Sequence, residues 1–315
     1  MKILVLGAGA YGLALANILS DKNDVTVYSV IKDEIDELNK SYSNEKLFPG
    51  VKLSSNIVFS YDIEPSIYDA VVIAIPINFI ESTLNNFVGK FKNDCKFIIA
   101  SKGINDKTFE FSYDIVSKMF SNNISIIAGP SFAIDTIKRE KIILTLAGKN
   151  LDSIKDIFPS YINISVTSDI IGVQVCSTIK NIFAIACGVI AGLGVSESTN
   201  ASFLTKVVSD SSDIIKSFGG LDDTIFTSAG IGDIILTCSS VKSRNYSLGK
   251  MIGEGKTSTV VDEYLKNTTV EGYIALKALK TIFENNNISN ELIEVIYDVV
   301  INYKSPTLLL DYLIK

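Results

Sequence analysis

Seven short β-rich runs, KILVLG, VTVYSV, AVVIAI, KFIIAS, ISIIAG, KIILTLAG and INISVT, alternate with helical stretches up to about residue 168. No other feature constrains the chain as tightly. Strands separated by helices run mainly parallel, and strands apolar on both faces need helices on both sides of their sheet. From about residue 170 the strand pattern stops, and helical periodicity dominates through IEVIYDVVINY near the end. The expected fold is α/β: an N-terminal doubly wound sheet over 1–169 and a C-terminal all-helical domain over 170–315. At 315 residues, each domain is long enough to bury its own core.

Composition removes several functional classes. A net charge of −6 argues against general nucleic-acid binding, although a local basic pocket can still attract a small anion. Cys95, Cys176, Cys187 and Cys238 form no CxxC pair and no metal-type cluster, so no metal site is expected. They read as reduced, buried thiols of a cytoplasmic protein. The stretch KILVLGAGAYGLALA at 2–16 mimics a secretory signal, but its glycine spacing and the strand-like DVTVYSV that follows fit a folded domain better. No apolar run reaches the roughly 18 residues of a membrane span, and 182–195 reads as a buried core helix.

The first chemical motif is Gly7-Ala8-Gly9-Ala10-Tyr11-Gly12, a GxGxxG that follows the first strand directly and opens a helix. In a Rossmann-like setting the first glycine permits the tight turn and the second lets a pyrophosphate approach the backbone. The third lets helix and strand pack closely, and the helix N-terminus adds N–H groups and partial positive charge. Gly7, Gly9, Ala10, Tyr11 and Gly12 are therefore candidate cofactor residues. A second strand ends near residue 30, where an NAD site wants an acid and an NADP site a cation. The chain has Ser29-Val30-Ile31-Lys32 there. Lys32 is a candidate phosphate contact or a solvated lysine, and NAD against NADP stays open.

Reduction of a carbonyl needs a proton donor for the developing alkoxide. The chain contains no histidine, which leaves Lys, Tyr, Cys or a carboxylic acid. Lys180 is the one charged group in TIKNIFAIACGVIAGLG, residues 178–194. Two readings of it stand side by side: an amine tuned toward neutrality by apolar surroundings, or a helix-start lysine snorkelling outward. Asp233 and Thr237, four apart in AGIGDIILTCSSVKSRN, share a helix face, and Asp233 is suited to hold the Lys180 ammonium. Arg244 is one of only two arginines among 29 basic residues. It reads either as a bidentate phosphate fork or as a surface residue in a polar turn.

GAGAYGLALA, AIPINF, SKGIN, AGPSFA, DIIGVQVCSTIKNIFAIACGVIAGLG, AGIGDIILTCSSVKSRN and TVEG, in that order, resemble the bacterial NAD(P)-dependent glycerol-3-phosphate dehydrogenases. The likeness runs from residue 3 to about 275; beyond that it rests on helical character alone. It implies reduction of dihydroxyacetone phosphate to sn-glycerol 3-phosphate, the backbone precursor of phospholipids, with NAD or NADP as cofactor. Lys180 falls on the family's proton-transferring lysine, followed by Asn181, and Lys102 of SKG on a lysine contacting substrate and cofactor. Gly129 and Ser131 match substrate contacts and Ala133 a cofactor contact. Asp233, Thr237, Ser243, Arg244 and Asn245 fall on the polar group around the glycerol phosphate, with Arg244 also on the cofactor side. Glu271 falls near the nicotinamide end.

The chain departs from that family at three places. Tyr11 stands where a tryptophan is usual and Val30 where an arginine is usual, the second of which bears on cofactor preference. After GLG, the segment Ser196-Glu197-Ser198-Thr199-Asn200 replaces the usual GDN pattern and reads as a loop of altered binding or motion. The resemblance allows a homodimer, without an interface signature in the sequence. Two other functions stay open: a related dehydrogenase of a hydroxyacid or ketopantoate, and an idle NAD(P)-binding sensor. The SRN after the Asp-x3-Thr pair favours a phosphorylated substrate.

Overall fold

The computed structural model describes all residues from Met1 to Lys315. They group into two compact units, Met1–Lys102 with Ser112–Ile170, and Gly103–Phe111 with Ile171–Lys315. The segment Gly103–Phe111 thus lies within 1–169 in sequence but belongs to the second unit. There Ile104 bridges Phe111, and the Phe111 ring meets Phe218 edge-on.

The first unit is an eight-stranded sheet in the order β3-β2-β1-β4-β5-β6-β7-β8. Its strands are β1 (Lys2–Leu6), β2 (Asp24–Tyr28), β3 (Ile57–Ser60), β4 (Ala70–Ile73), β5 (Lys96–Ile99), β6 (Asn123–Ala128), β7 (Ile142–Ala147) and β8 (Ile162–Thr167). The first six are parallel; β7 runs antiparallel to β6 and carries β8 with it. All seven runs read from the sequence are strands, and β3 is the one not anticipated. It is four residues long at a sheet edge, with Ile57 and Phe59 inward and Val58 exposed, too short for alternation to register. The central strand β4, AVVI, is buried throughout, as a sheet covered on both faces requires.

The helices of this unit are α1 (Ala10–Leu19), α2 (Lys32–Ser41), α3 (Ile80–Leu84), α4 (Ser112–Met119), α5 (Ala133–Ile137) and α6 (Asp152–Lys155). Strand order reverses between β1 and β4, and the turn after β1 sits at that switch point, where ligands bind in open parallel sheets. Gly7 N donates to Tyr28 O at 2.8 Å, which fastens the turn to the end of β2.

The second unit holds α7 (Ile170–Gly192), α8 (Glu197–Ser217), α9 (Asp233–Cys238), α10 (Arg244–Gly253), α11 (Ser258–Asn267), α12 (Glu271–Asn285), α13 (Glu291–Val300) and α14 (Leu308–Leu313). Helix α7 corrects the reading of 182–195 as the apolar limit. At 23 residues it is long and apolar enough to cross a membrane, yet 89% of its apolar window is buried inside the protein. Every residue from Gly172 to Ile190 is buried, the pattern of a central core helix. Helix α10 lies against it at backbone contact: a Cβ on Gly249 would stand 1.8 Å from Ile185 O, and one on Gly188 2.1 Å from Tyr246 O. That contact fixes the start of α10 relative to the middle of α7.

Candidate active site

In the sheet unit, the candidate surface is made by three glycines with different duties. Gly7 has φ +114°, a conformation that disfavours any side chain, and a Cβ there would press on Ala74 O at 2.7 Å. A Cβ on Gly12 would lie 2.1 Å from Gly7 O, so α1 can start this close to the strand only without one. Gly9 differs: it has an ordinary backbone conformation, and a Cβ would meet nothing within 4 Å. No contact within the protein requires glycine at position 9. The open space over an α1 N-terminus that lacks a side-chain cap fits a pyrophosphate lying on the backbone.

Ala10 begins α1, and Tyr11 follows it. The Tyr11 hydroxyl lies 2.9 Å from Ser131 Oγ, and Ser131 Oγ donates to Gly129 O at 3.1 Å. The Lys102 ammonium sits over the Tyr11 ring, 5.3 Å from its centroid. Helix α5, opened by Ala133, packs on α1, and Asn17 Nδ2 donates to Ile137 O at 3.1 Å. That packing brings residue 131 to residue 11.

At the end of β2, Val30 and Ile31 are exposed. The exposed Lys32 places its ammonium 5.1 Å from the Tyr61 ring centroid. An acid missed in sequence stands nearby: Glu34, in the first turn of α2, accepts from Ser29 Oγ at 2.8 Å. It lies two positions beyond the Ser29–Lys32 segment at the strand end. The signal that finds it is the serine at the strand end, whose hydroxyl reaches a carboxylate five residues on.

In the helical unit, Lys180 lies in the middle of α7, 5% exposed. Its Nζ is 2.6 Å from Asp233 Oδ1 and donates to Thr237 Oγ1 at 3.2 Å, while Thr237 Oγ1 donates to Asp233 Oδ1 at 3.3 Å. The snorkelling alternative fails because α7 begins ten residues earlier, at Ile170. Asp233 opens α9 after a wide turn, Ser228–Gly232, in which Gly230 leaves helical geometry. A Cβ on Gly230 would lie 2.2 Å from Ile225 O, so a side chain there would displace the turn that aims Asp233.

A second polar cluster begins one residue after the lysine. Asn181 Nδ2 donates to Glu271 Oε2 at 3.1 Å, Asn245 Nδ2 donates to Asn181 Oδ1 at 2.9 Å, and Gly272 N donates to Asn245 Oδ1 at 2.9 Å. The relay joins α7, α10 and α12 and fixes the orientation of both amides. Ser243 caps α10 by accepting from Tyr246 N at 3.3 Å, so Arg244 is its first helical residue and is exposed. The Arg244 carbonyl accepts from the Tyr264 hydroxyl at 3.3 Å. Ser196–Asn200 is no loop: Ser196 caps α8, accepting from Thr199 N at 3.2 Å, and the rest is its first turn.

Comparison with known proteins agrees with this fold and shows the family. The family described as NAD-dependent glycerol-3-phosphate dehydrogenase matches with its N-terminal part over residues 2–154 and its C-terminal part over 169–311, well past the last motif at 275. Glycerol-3-phosphate dehydrogenase [NAD(P)+] of Clostridium botulinum is 30% identical over 98% of this chain and 95% of its own length. The Staphylococcus carnosus protein of the same name is 31% identical over 95% of this chain and 93% of its own length. Among solved structures, glycerol-3-phosphate dehydrogenase of Coxiella burnetii superposes with a TM-score of 0.89 at 24% identity, covering 100% of this chain and 98% of that one. The ketopantoate-type alternative is distant: a probable 2-dehydropantoate 2-reductase of Bacillus subtilis reaches 0.57 at 14% identity, over 96% of this chain and 100% of its own.

Proposed function

The chain belongs to the NAD-dependent glycerol-3-phosphate dehydrogenase family, and from that premise we propose how its residues reduce dihydroxyacetone phosphate to sn-glycerol 3-phosphate. The reaction is reversible, uses NADH or NADPH, and supplies the backbone of glycerophospholipids. When bound, the nicotinamide supplies the hydride. Segment 1–169 holds the cofactor, through the Gly7-Gly9-Gly12 turn and the start of α1 at Ala10 and Tyr11, with contributions from Ala133 and Lys32. Segment 170–315 supplies the proton.

The substrate's carbonyl oxygen becomes a hydroxyl, and Lys180 donates the hydrogen. An ammonium stabilises the developing negative charge before it transfers its proton. Asp233 and Thr237 hold the ammonium in place, which spares the site any reorganisation as charge develops. The guanidinium of Arg244 and the ammonium of Lys102 bind the phosphate dianion, which an acidic protein needs local cations to attract. Gly129 and Ser131 contact the substrate. Asn181 and Asn245, with Ser243 as helix cap, set the positions of Lys180 and Arg244, and Glu271 faces the nicotinamide end. The reaction takes place in the cytoplasm, where the four buried cysteines stay as thiols. The active assembly is a homodimer, which sedimentation of the purified protein tests.

The observation that carries this reading is the Lys180 amine, buried and 2.6 Å from a carboxylate, in a chain with no histidine. Purified protein mixed with dihydroxyacetone phosphate oxidises NADH or NADPH, followed by absorbance with the two cofactors in parallel. No turnover with either overturns the reading.

A further inference from the structure

Tyr11 has a second task besides its place in the glycine-rich turn. We infer that its side chain is a positioning residue for the phosphorylated substrate, acting through Ser131 and Lys102. This rests on the reading above, in which those two residues touch substrate.

The argument begins with a count of protons. The Ser131 hydroxyl carries one, and it is directed at Gly129 O, 3.1 Å away. Either oxygen of the 2.9 Å contact between Tyr11 and Ser131 can donate, and while the serine proton is on Gly129 O the one in that contact comes from the phenol. Ser131 Oγ is held from one side by Tyr11 while its own proton rests on a backbone carbonyl. A phosphate oxygen accepts hydrogen bonds and has none to give. To meet it, the serine hydrogen swings about the Cβ–Oγ bond from Gly129 O to the ligand, and the oxygen stays anchored by the phenol. Donation into Oγ also makes the serine a better donor, because hydrogen bonds in a chain polarise one another.

The ring face does separate work. The Lys102 ammonium over the Tyr11 ring, 5.3 Å from its centroid, is attracted by the ring quadrupole, and this limits the freedom of a long flexible stem. One side chain thus supports a cation and a neutral donor from segments 91 and 120 residues away in sequence (102 − 11 and 131 − 11). An ammonium beside a hydroxyl donor is a set suited to a phosphate monoester. The two arms are separable: phenylalanine keeps the ring and removes the hydroxyl, and leucine removes both.

The test is a kinetic cycle on Tyr11→Phe, Ser131→Ala and the double variant, with Tyr11→Leu beside them. Tyr11→Phe is expected to raise KM for dihydroxyacetone phosphate about 3- to 10-fold, the scale of one hydrogen bond. The rise in substrate KM is expected to exceed any rise in the KM for NADH, because phenylalanine keeps the ring and backbone on the cofactor side, and Tyr11→Phe is expected to add nothing in the Ser131→Ala background. Tyr11→Leu is expected to raise the substrate KM further. Wild-type behaviour of Tyr11→Phe, an additive double variant, or a rise confined to the NADH KM would each overturn the proposal. Calorimetric titration with glycerol 3-phosphate separates this from the functional reading. If wild type binds the ligand and Tyr11→Phe binds it equally well, the positioning role is wrong whatever the turnover. Weaker binding by both Tyr11→Phe and Ser131→Ala, with unchanged melting temperatures, supports it.

Discussion

In the sheet unit the proposed cofactor surface is shaped by atoms that are missing: Gly7 and Gly12 have no room for a Cβ, and Gly9 leaves its space open. In the helical unit the proposed proton site is shaped by a charge that is present, the buried Lys180 ammonium 2.6 Å from the Asp233 carboxylate. The ion pairs of the two units differ accordingly. Arg139 meets Asp21 through two guanidinium hydrogen bonds at the surface of the sheet unit, at 2.9 and 3.1 Å, whereas Lys180 and Asp233 are nearly inaccessible to water. A surface pair contributes little, but a buried pair that loses one partner leaves a stranded charge. The sheet unit should therefore tolerate changes of charge and resist changes of volume at Gly7 and Gly12. The helical unit should resist both the loss of either partner of its buried pair and added volume at Gly188, Gly230 and Gly249, whose missing Cβ atoms would meet backbone.

The largest effect is expected from Asp233→Ala. Stranding the Lys180 ammonium should cost about 3–5 kcal/mol of stability, read as a fall in denaturant midpoint, along with most of the activity. A loss below about 1 kcal/mol would mean that water reaches the amine and the contrast with the surface pair is false.

Next come the two glycines of the turn. Gly12→Ala should lose about 1–3 kcal/mol, because the added methyl meets backbone. Gly9→Ala should keep its melting temperature and bind NADH about 10-fold more weakly or worse, since the methyl occupies only ligand space. Equal stability losses in the two would erase the distinction between a packing glycine and a binding glycine.

Arg244→Lys should raise KM for the phosphorylated substrate by about 10-fold, with kcat less affected, as a point charge replaces a planar fork. Steady-state kinetics showing wild-type KM would remove Arg244 from the phosphate site.

The smallest effect belongs to the surface pair. The Arg139 hydrogen bond, the largest influence, holds the Asp21 carboxyl below its usual value against the opposing effect of burial, with further help from the Tyr161 hydroxyl. A carboxyl whose folded-state value is depressed adds stability above its unfolded value of about 3.9 and loses it as pH falls through the folded one. Asp21→Asn should therefore cost under about 1 kcal/mol at neutral pH and progressively less below pH 4, measured by denaturation across pH.

The same contrast explains what the sequence disclosed. Continuous apolar strands beside a GxGxxG were legible because the fold demands both, and α/β with a helical C-terminal part followed from them. The edge strand β3 was not, since four half-exposed residues carry too little pattern. Lys180 was conspicuous as a lone charge, but its depth was hidden. Gln174, Ser177 and Thr178 break the apolar run upstream and are nonetheless buried, the Ser177 and Thr178 hydroxyls satisfied by donating to the Gln174 backbone O, each at 2.9 Å. The rarity of arginine drew attention to Arg244, yet Arg139 is just as rare and serves a surface pair. The relay of Asn181, Asn245 and Glu271 joins residues 64 and 90 positions apart, a pairing that the local sequence pattern did not reveal.

The central claim is that a buried amine, in place of an imidazole, delivers the proton. The direct measurement is Lys180→Ala, assayed for turnover with dihydroxyacetone phosphate and, separately, for NADH affinity by fluorescence titration. The account predicts a kcat lower by about 10²-fold or more with NADH affinity within about 2-fold of wild type. A variant that turns over substrate at the wild-type rate would contradict it.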